Sequence, residues 1–328
     1  MVSAQVQATA RKPTGRIPDF FVVGHQKSGT TALYEMLARH PQIYMPANKE
    51  PWFFASELHE RTPPRPEGTP RTLAEYAALF SDARPDQRVG EASAQYLWSR
   101  TAAGAIAAVQ PEARIIAILR EPAAFLRSLH LQFVETYVET ETDFRKAISL
   151  ESSRRAGKRI PRYTYWPKAL LYSEHVRYVD QLGRFAAVFP PEQMLVLIYD
   201  DFRLDNEQTV RSLLRFLDVD DTIPVQVREA NPTVHVRSRQ LHHLVHAVSV
   251  GRGPLSLALK GAIKPVTPQR LRRRVVRGFK QRVVFGEPPP PDECFMDELR
   301  RRFKPEVEAL SEYLNRDLMK LWGYDRIG

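Results

Sequence analysis

Apolar positions along this chain recur with two different periods. Residues 17–24, IPDFFVVG, are an apolar run closing on glycine, which predicts a buried strand entering a tight loop. In residues 30–40, TTALYEMLARH, Leu33, Met36 and Leu37 recur at helical spacing, and Pro41 ends the helix. Two more buried strands are predicted at 114–119 and 193–199, the first followed by Pro122 at a helix start. Residues 73–80 read as a short helix. Residues 206–217 read as an amphipathic one, with Val210, Leu213, Leu214 and Leu217 on one side. Residues 57–72, rich in Pro, Glu, Arg and Thr, read as an exposed loop. The final stretch, 297–324, has helical periodicity, with Leu310, Leu314, Leu318 and either Leu321 or Trp322 placed to dock it. Strands alternating with helices predict an α/β fold, a central mainly parallel sheet flanked by helices.

Composition adds bounds to this picture. The chain has 328 residues, of which 43% are hydrophobic, enough for a full core. The predicted strands belong to one sheet, so residues 17–328 are expected to form one domain. Residues 1 to about 16 are expected to be a disordered basic tail. That tail carries Arg11, Lys12 and Arg16 but no apolar core, so it does not read as a secretory signal. No later stretch reaches the roughly 18 uninterrupted apolar residues of a membrane span. Cys294 is the single cysteine, so no intrachain disulfide can form. A cytoplasmic location is the expectation.

Net charge is +10, and its placement is uneven. Residues 252–286 hold ten of the 48 basic residues and no acidic one, leaving 38 to balance the 38 acidic residues of the chain. This segment lies in an expected helical basic insertion at about 240–290. It suits an anionic surface or acceptor, and equally a solvated helix face. No specific nucleic-acid partner is expected.

Candidate chemistry concentrates in the loop Gly24-His-Gln-Lys-Ser-Gly-Thr-Thr31, between the first strand and first helix. Such a loop aims successive backbone N–H groups at one spot, and the helix N-terminus adds a positive end. The loop is a phosphate cradle of P-loop-NTPase-like type. It departs from the nucleotide-triphosphate pattern, because Thr30 stands where the lysine after the second glycine belongs. Asp200 and Asp201, after the third apolar strand, would be the magnesium ligands of a nucleotide kinase. They read better as caps of the next turn or helix.

The string Lys27-Ser28-Gly29-Thr30-Thr31 resembles the 5′-phosphosulfate loop of sulfotransferases that use 3′-phosphoadenosine 5′-phosphosulfate (PAPS). The resemblance implies that Lys27 contacts the 5′-phosphate and the bridging oxygen, while Ser28, Gly29, Thr30 and Thr31 hold the phosphate. Residues 119–128, LREPAAFLRS, are similar to a second family segment, a strand-end arginine followed eight residues later by serine. Arg120 and Ser128 match it, which implies a 3′-phosphate site. A guanidinium at a strand end and a hydroxyl two turns into a helix can converge on one phosphate. The family often has a further arginine where Phe125 stands, and Arg127 is the nearest replacement. Residues 49–54 (KEPWFF), 90–96 (GEASAQY) and the closing RDLMKLW resemble other family segments, although Trp52 stands where a polar residue is usual. The likeness covers about residues 18–220 and the C-terminal tail, and is to bacterial and glycan-type members.

In glycan-type members a glutamate of the lysine–glutamate segment is the base, which implies that role for Glu50. The plainer reading of Glu50 is an ion pair with Lys49. His130 is an alternative base, but it is set on a helix beyond Ser128 and reads better as facing away, and Glu91 is a supporting or acceptor-site carboxylate. Arg237 or Arg239 would serve in a late basic loop over the 3′-phosphate, or be surface charges. Tyr172 lines the site or packs. No cluster has metal-ligand spacing, since His242, His243 and His246 read as packing or solvent-facing residues, and no metal is expected. The expected activity is sulfuryl transfer from PAPS to a hydroxyl or amine of a small-molecule, lipid or glycan acceptor. A nucleotide kinase and a non-catalytic anion-binding protein are the other readings.

Overall fold

The structure is a computed structural model and describes residues 15–58, 69–161, 164, 166–224, 235–236, 285–286 and 288–327. Five parallel strands form its sheet: β1 (Phe20–Gly24), β2 (Ile43–Tyr44), β3 (Arg88–Ala92), β4 (Arg114–Leu119) and β5 (Met194–Ile198), in the order β2-β3-β1-β4-β5. β3 and the two-residue β2 were not among the predicted strands. The sequence GEASAQY hides β3, because Gly90 and Glu91 interrupt any apolar run.

Helices in chain order are α1 (Thr30–Leu37), α2 (Leu73–Ala78), α3 (Ala102–Val109), α4 (Pro122–Glu135), α5 (Phe144–Ser149), α6 (Glu151–Arg155), α7 (Tyr172–His175), α8 (Tyr178–Ala186), α9 (Tyr199–Leu204), α10 (Asn206–Phe216), α11 (Glu293–Tyr313) and α12 (Leu318–Leu321). Their starts follow local chemistry. Pro122 opens α4, and the Glu121 carboxylate accepts from the N–H groups of Ala123 (3.0 Å) and Ala124 (2.6 Å). Asp205 and Asp292 cap α10 and α11 in the same way.

Alternate residues of the central strands feed two cores. Phe21 and Val23 of β1, with Ile115, Ala117 and Leu119 of β4, face the larger layer, which includes α3, α4, α8 and α11. Phe20, Val22, Ile116 and Ile118 face the smaller layer of α1 and α10. All of these strand residues are almost fully buried, as expected of a parallel sheet covered on both faces. Gly90 is required by this packing, since a Cβ there would lie 2.1 Å from the Phe20 ring and 2.5 Å from the Met45 sulfur.

Several expectations are corrected. Arg16 is not part of a free tail: it donates to Asp19 (3.1 Å) and to the carbonyls of Arg84 (2.8 Å) and Gln87 (2.9 Å). Residues 285–286 are not helical but pair antiparallel with 235–236 as two-residue strands β7 and β6. The rest of the 240–290 insertion lies outside the described residues, as do Arg237, Arg239 and His242, His243 and His246. At the C-terminus Trp322 docks while Leu321 stays exposed. Tyr172 packs in the core.

The larger helical layer contains a buried ion pair. Glu139 and Arg154 sit 2.7 Å apart with side chains 0% and 1% exposed. The Thr140 and Glu141 N–H groups (2.7 and 2.8 Å) and the Tyr172 hydroxyl (3.3 Å) also donate to Glu139, and Arg154 donates to the Ala147 carbonyl (3.1 Å). Removing one partner leaves an uncompensated buried charge. Glu139→Gln or Arg154→Met is therefore expected to lower stability by about 3–5 kcal/mol. Denaturant unfolding followed by circular dichroism reads this, and a loss under 1 kcal/mol would contradict it.

Candidate functional site

β1 lies between β3 and β4, and the chain proceeds to one side of it before returning to the other. The carboxyl end of β1 is thus the point where connections diverge, which leaves a crevice. The loop 24–31 occupies that point. Gly29 precedes α1 in the left-handed region (φ 89°), and a Cβ on it would press on the rings of Phe202 and Tyr199 at 3.1–3.2 Å. No other residue meets both demands.

Lys27 is also left-handed (φ 61°), as are Glu50 (φ 62°) and Trp52 (φ 51°). Three of the seven such non-glycine residues among those described therefore fall in two short segments that meet. Strain of this kind costs about 1–3 kcal/mol per residue and tends to gather at functional sites. The meeting is direct: Lys49 Nζ donates to Thr31 Oγ1 at 2.8 Å and lies 3.4 Å from Glu50 Oε1. The Glu50 N–H donates to the Ala92 carbonyl at the end of β3 (3.1 Å), and the Trp52 N–H to Ser93 Oγ (3.1 Å).

From the other side Arg120, at the end of β4, reaches across to β1. Its Nη1 donates to the Lys27 carbonyl at 3.1 Å, and its guanidinium lies over the Tyr199 ring at 4.8 Å. Burial lowers the affinity of Lys27 for its proton; Glu135 opposes this shift and Arg120 adds to it. Among the described residues neither Lys27 nor Arg120 forms a salt bridge. Arg127 feels burial and the same Arg120 charge, and it donates to the Pro289 carbonyl. Ser128, two turns into α4, is 4% exposed. The structure thus brings Lys27 and Arg120 together, with Lys49, Glu50 and Thr31 alongside.

A profile described as the sulfotransferase family matches residues 18–222. The chain belongs to the sulfotransferase family. A solved sulfotransferase from Alicyclobacillus acidocaldarius is similar at 25% identity with a TM-score of 0.64, covering 93% of this chain and 98% of that one. The human bifunctional heparan sulfate N-deacetylase/N-sulfotransferase 3 is 29% identical over 214 residues, covering 63% of this chain and 23% of its own length. Mouse carbohydrate sulfotransferase 15 is 25% identical over 259 residues, covering 62% of this chain and 44% of its own. The match spans less than half the length of these curated relatives.

Within this sulfotransferase fold one expectation changes, while His130 faces away as its place on the helix suggested. Asp200 and Asp201 do not cap the following turn. Asp200 accepts from the Trp322 indole (2.9 Å), and Asp201 takes a bidentate grip from Arg316 (2.5 and 2.7 Å), which ties the C-terminal segment to α9. These carboxylates are engaged, so they are poor magnesium ligands for a kinase-type site. His130 points away from the loop, bonding the Glu141 carbonyl at 2.8 Å and lying against Phe144.

Two buried elements escaped the sequence reading. His25, fully buried inside the loop, bonds Gln181 through Nε2 at 2.9 Å, and burial, with His175 beside it, depresses its pKa to about 3. Phe125, standing where the family often has arginine, packs on the His25 ring at 4.7 Å. The ring of Phe202, which closes against Gly29 with the partly buried Tyr199, carried no signal in the sequence, and Tyr199 fell at the end of the predicted strand 193–199.

Glu91, expected as a supporting or acceptor-site carboxylate, is fully buried. It accepts from the hydroxyls of Tyr76 (3.0 Å) and Tyr96 (2.8 Å), while its Oε1 has no hydrogen-bond partner among the described residues. Burial raises its pKa to about 7, the hydroxyls of Ser93, Tyr96 and Tyr76 oppose that, and nearby Glu50 adds to it. The sign follows: the folded state holds this proton more tightly than the unfolded chain, whose carboxyl titrates near 4.5. Stability from Glu91 is present below pH 4.5 and lost as pH rises toward 7. Glu91→Gln removes that slope. The stability of the variant relative to the parent is therefore expected to climb by up to about 3 kcal/mol between pH 4.5 and 7. Urea unfolding across that range checks it, and a pH-independent difference would refute it.

Proposed function

We propose that this protein transfers a sulfuryl group from PAPS to a hydroxyl or amine of an acceptor. The observation that carries the reading is the 3.1 Å bond from Arg120 to the Lys27 carbonyl. It sets a strand-end arginine and a loop lysine at one place, as two phosphates on one adenosine would require. The loop residues fit such a ligand. Gly29 keeps the backbone free of a side chain, and Lys27 and Arg120 set two positive charges beside it.

PAPS supplies an activated sulfuryl group on a phosphate leaving group. Lys27, with Ser28, Gly29, Thr30 and Thr31, holds the 5′-phosphate and stabilises negative charge as it grows there. This is electrostatic catalysis by groups already in place. Arg120 and Ser128 hold the 3′-phosphate, with Arg237 or Arg239, outside the described residues, as further contacts. Glu50 takes the proton of the acceptor. Its neighbour Lys49, bonded to Thr31, fixes the carboxylate beside the loop. The ion pair with Lys49 and the role of base are compatible, because the pair is partly exposed and only one Glu50 oxygen needs to face the acceptor. Similarity to heparan sulfate and carbohydrate sulfotransferases supports a glycan or small-molecule acceptor.

Calorimetry in EDTA tests the donor. 3′-Phosphoadenosine 5′-phosphate (PAP) is expected to bind in preference to ADP and ATP. Arg120→Ala should weaken it about 10- to 100-fold, as loss of charge-assisted bonds implies. Equal affinity for ADP would count against the assignment. Glu50→Gln should leave PAP affinity unchanged and lower turnover by roughly 100-fold or more, the usual worth of a general base. Unchanged turnover would move that role to another residue.

A further inference from the structure

Beside the loop lies a cavity of about 680 Å³ that none of the assignments above uses. That volume suits a small ligand or one ring of a larger one. Its walls come from the turn after Phe54, the segment after β3, and α6 to α8, and include Trp98, Trp166, Arg100, Lys168 and Arg184. Two features connect it to the site. The Trp52 ring, two residues beyond Glu50, meets the Trp166 ring edge-on at 5.2 Å. Gln181, another wall residue, bonds His25 of the loop at 2.9 Å.

The charges on the walls do not cancel. Arg154 is bound to Glu139, Arg155 to Glu174 (3.0 Å), and Arg177 to Asp180. Glu57, the remaining wall carboxylate, is held by the hydroxyls of Ser99 (2.6 Å) and Thr101 and by the Arg100 N–H (2.7 Å). Three cations are left against the single charge of Glu57. Among the described residues Arg184 donates to backbone carbonyls, those of Leu97 (3.0 Å), Trp98 (3.3 Å) and Ser99 (3.2 Å), and the Glu57 and Asp180 charges act on it from further off. Neither Arg100 nor Lys168 forms a salt bridge among the described residues. Burial weakens the hold of Arg184 on its proton, and the Arg100 charge adds to that. The indoles supply flat apolar faces next to these cations. His175 stacks on Trp98 at 4.8 Å and 14°, and so fixes that ring in place.

We propose that this cavity seats an anionic ring of the acceptor, a ring bearing a carboxylate or a sulfate. The ring lies against Trp98 and Trp166, and its charge is met by Arg100, Lys168 and Arg184. That the ligand is the acceptor rests on the sulfuryl-transfer reading, whereas binding of the anion does not.

The test is calorimetry on the full chain saturated with PAP, using methyl β-D-glucuronide as the sugar acid, phenyl sulfate as the aryl anion and methyl β-D-glucoside as the neutral control. At least one anion should bind tenfold or more tightly than the glucoside, and which one does so separates a sugar from an aryl source. The double variant Arg100→Gln/Lys168→Gln should lose that preference while keeping parental PAP affinity. Equal binding of all three probes, a preference that survives the double substitution, or displacement of the anion by PAP would each overturn the proposal. Failure of PAP itself to bind the parent protein would instead strike the donor assignment, so the two ideas fail separately.

Discussion

Taking the Lys27 ammonium out of water beside the Arg120 guanidinium is an electrostatic cost that the Glu135 charge offsets in part, and the bond from Arg120 to the Lys27 carbonyl holds the two cations at that place. Ordinary surface lysine and arginine would turn outward and hydrate. Here neither is free to do so. Lys27 stands in a left-handed turn between Gly24 and Gly29, and Arg120 is drawn over the Tyr199 ring. The Tyr178 hydroxyl also holds the Arg120 carbonyl at 2.9 Å. The arrangement lowers its energy when an anion arrives. It depends on the sheet order, because only adjacent β1 and β4 deliver their ends to one point. It also depends on the C-terminal segment. Arg316 and Trp322 hold α9 through Asp201 and Asp200, and α9 carries Tyr199 and Phe202 against Gly29.

The carboxylates of the site divide by environment. Glu91 is enclosed by Tyr76 and Tyr96 at the end of β3, where burial raises its pKa to about 7. Glu50 stands at the crevice beside Lys49, partly exposed and paired. The same residue type is thus held for packing at one end of β3 and kept at the crevice edge beside it, and the difference is set by what surrounds each carboxyl.

Much of this was legible in the sequence, for reasons that differ by element. β1 and β4 are buried inside the parallel sheet and β5 is partly buried at its edge, and in all three the apolar run carries the signal alone. α4 declared itself through Pro122, and Glu121 closed its cap. β3 was illegible because its packing selects glycine and a buried carboxylate, both of which read as loop chemistry. The loop was read from residue type and position between strand and helix, and Arg120 from the resemblance to a family segment. Their approach was not, since the 93 residues between them close only through the sheet. The two aspartates after β5 were misassigned for the same reason, as their partners lie 115 and 122 residues away.

The buried histidines carry the argument one step further. His25 belongs to the phosphate loop yet faces the core, where Gln181 and the rings of Phe125 and Tyr178 surround it. Burial keeps both it and His175 neutral at physiological pH, so neither competes with Lys27 for an anion. Their role is geometric. His25 anchors the loop to α8 through Gln181, and His175 stacks on Trp98, which lines the neighbouring cavity. One small neutral cluster thus touches both the loop that carries Lys27 and the wall beside the Glu50 segment. Protonating it below about pH 4 would disturb both at once. Cradle and cavity are therefore expected to loosen together in acid, a coupling that follows from packing and needs no contact between their ligands.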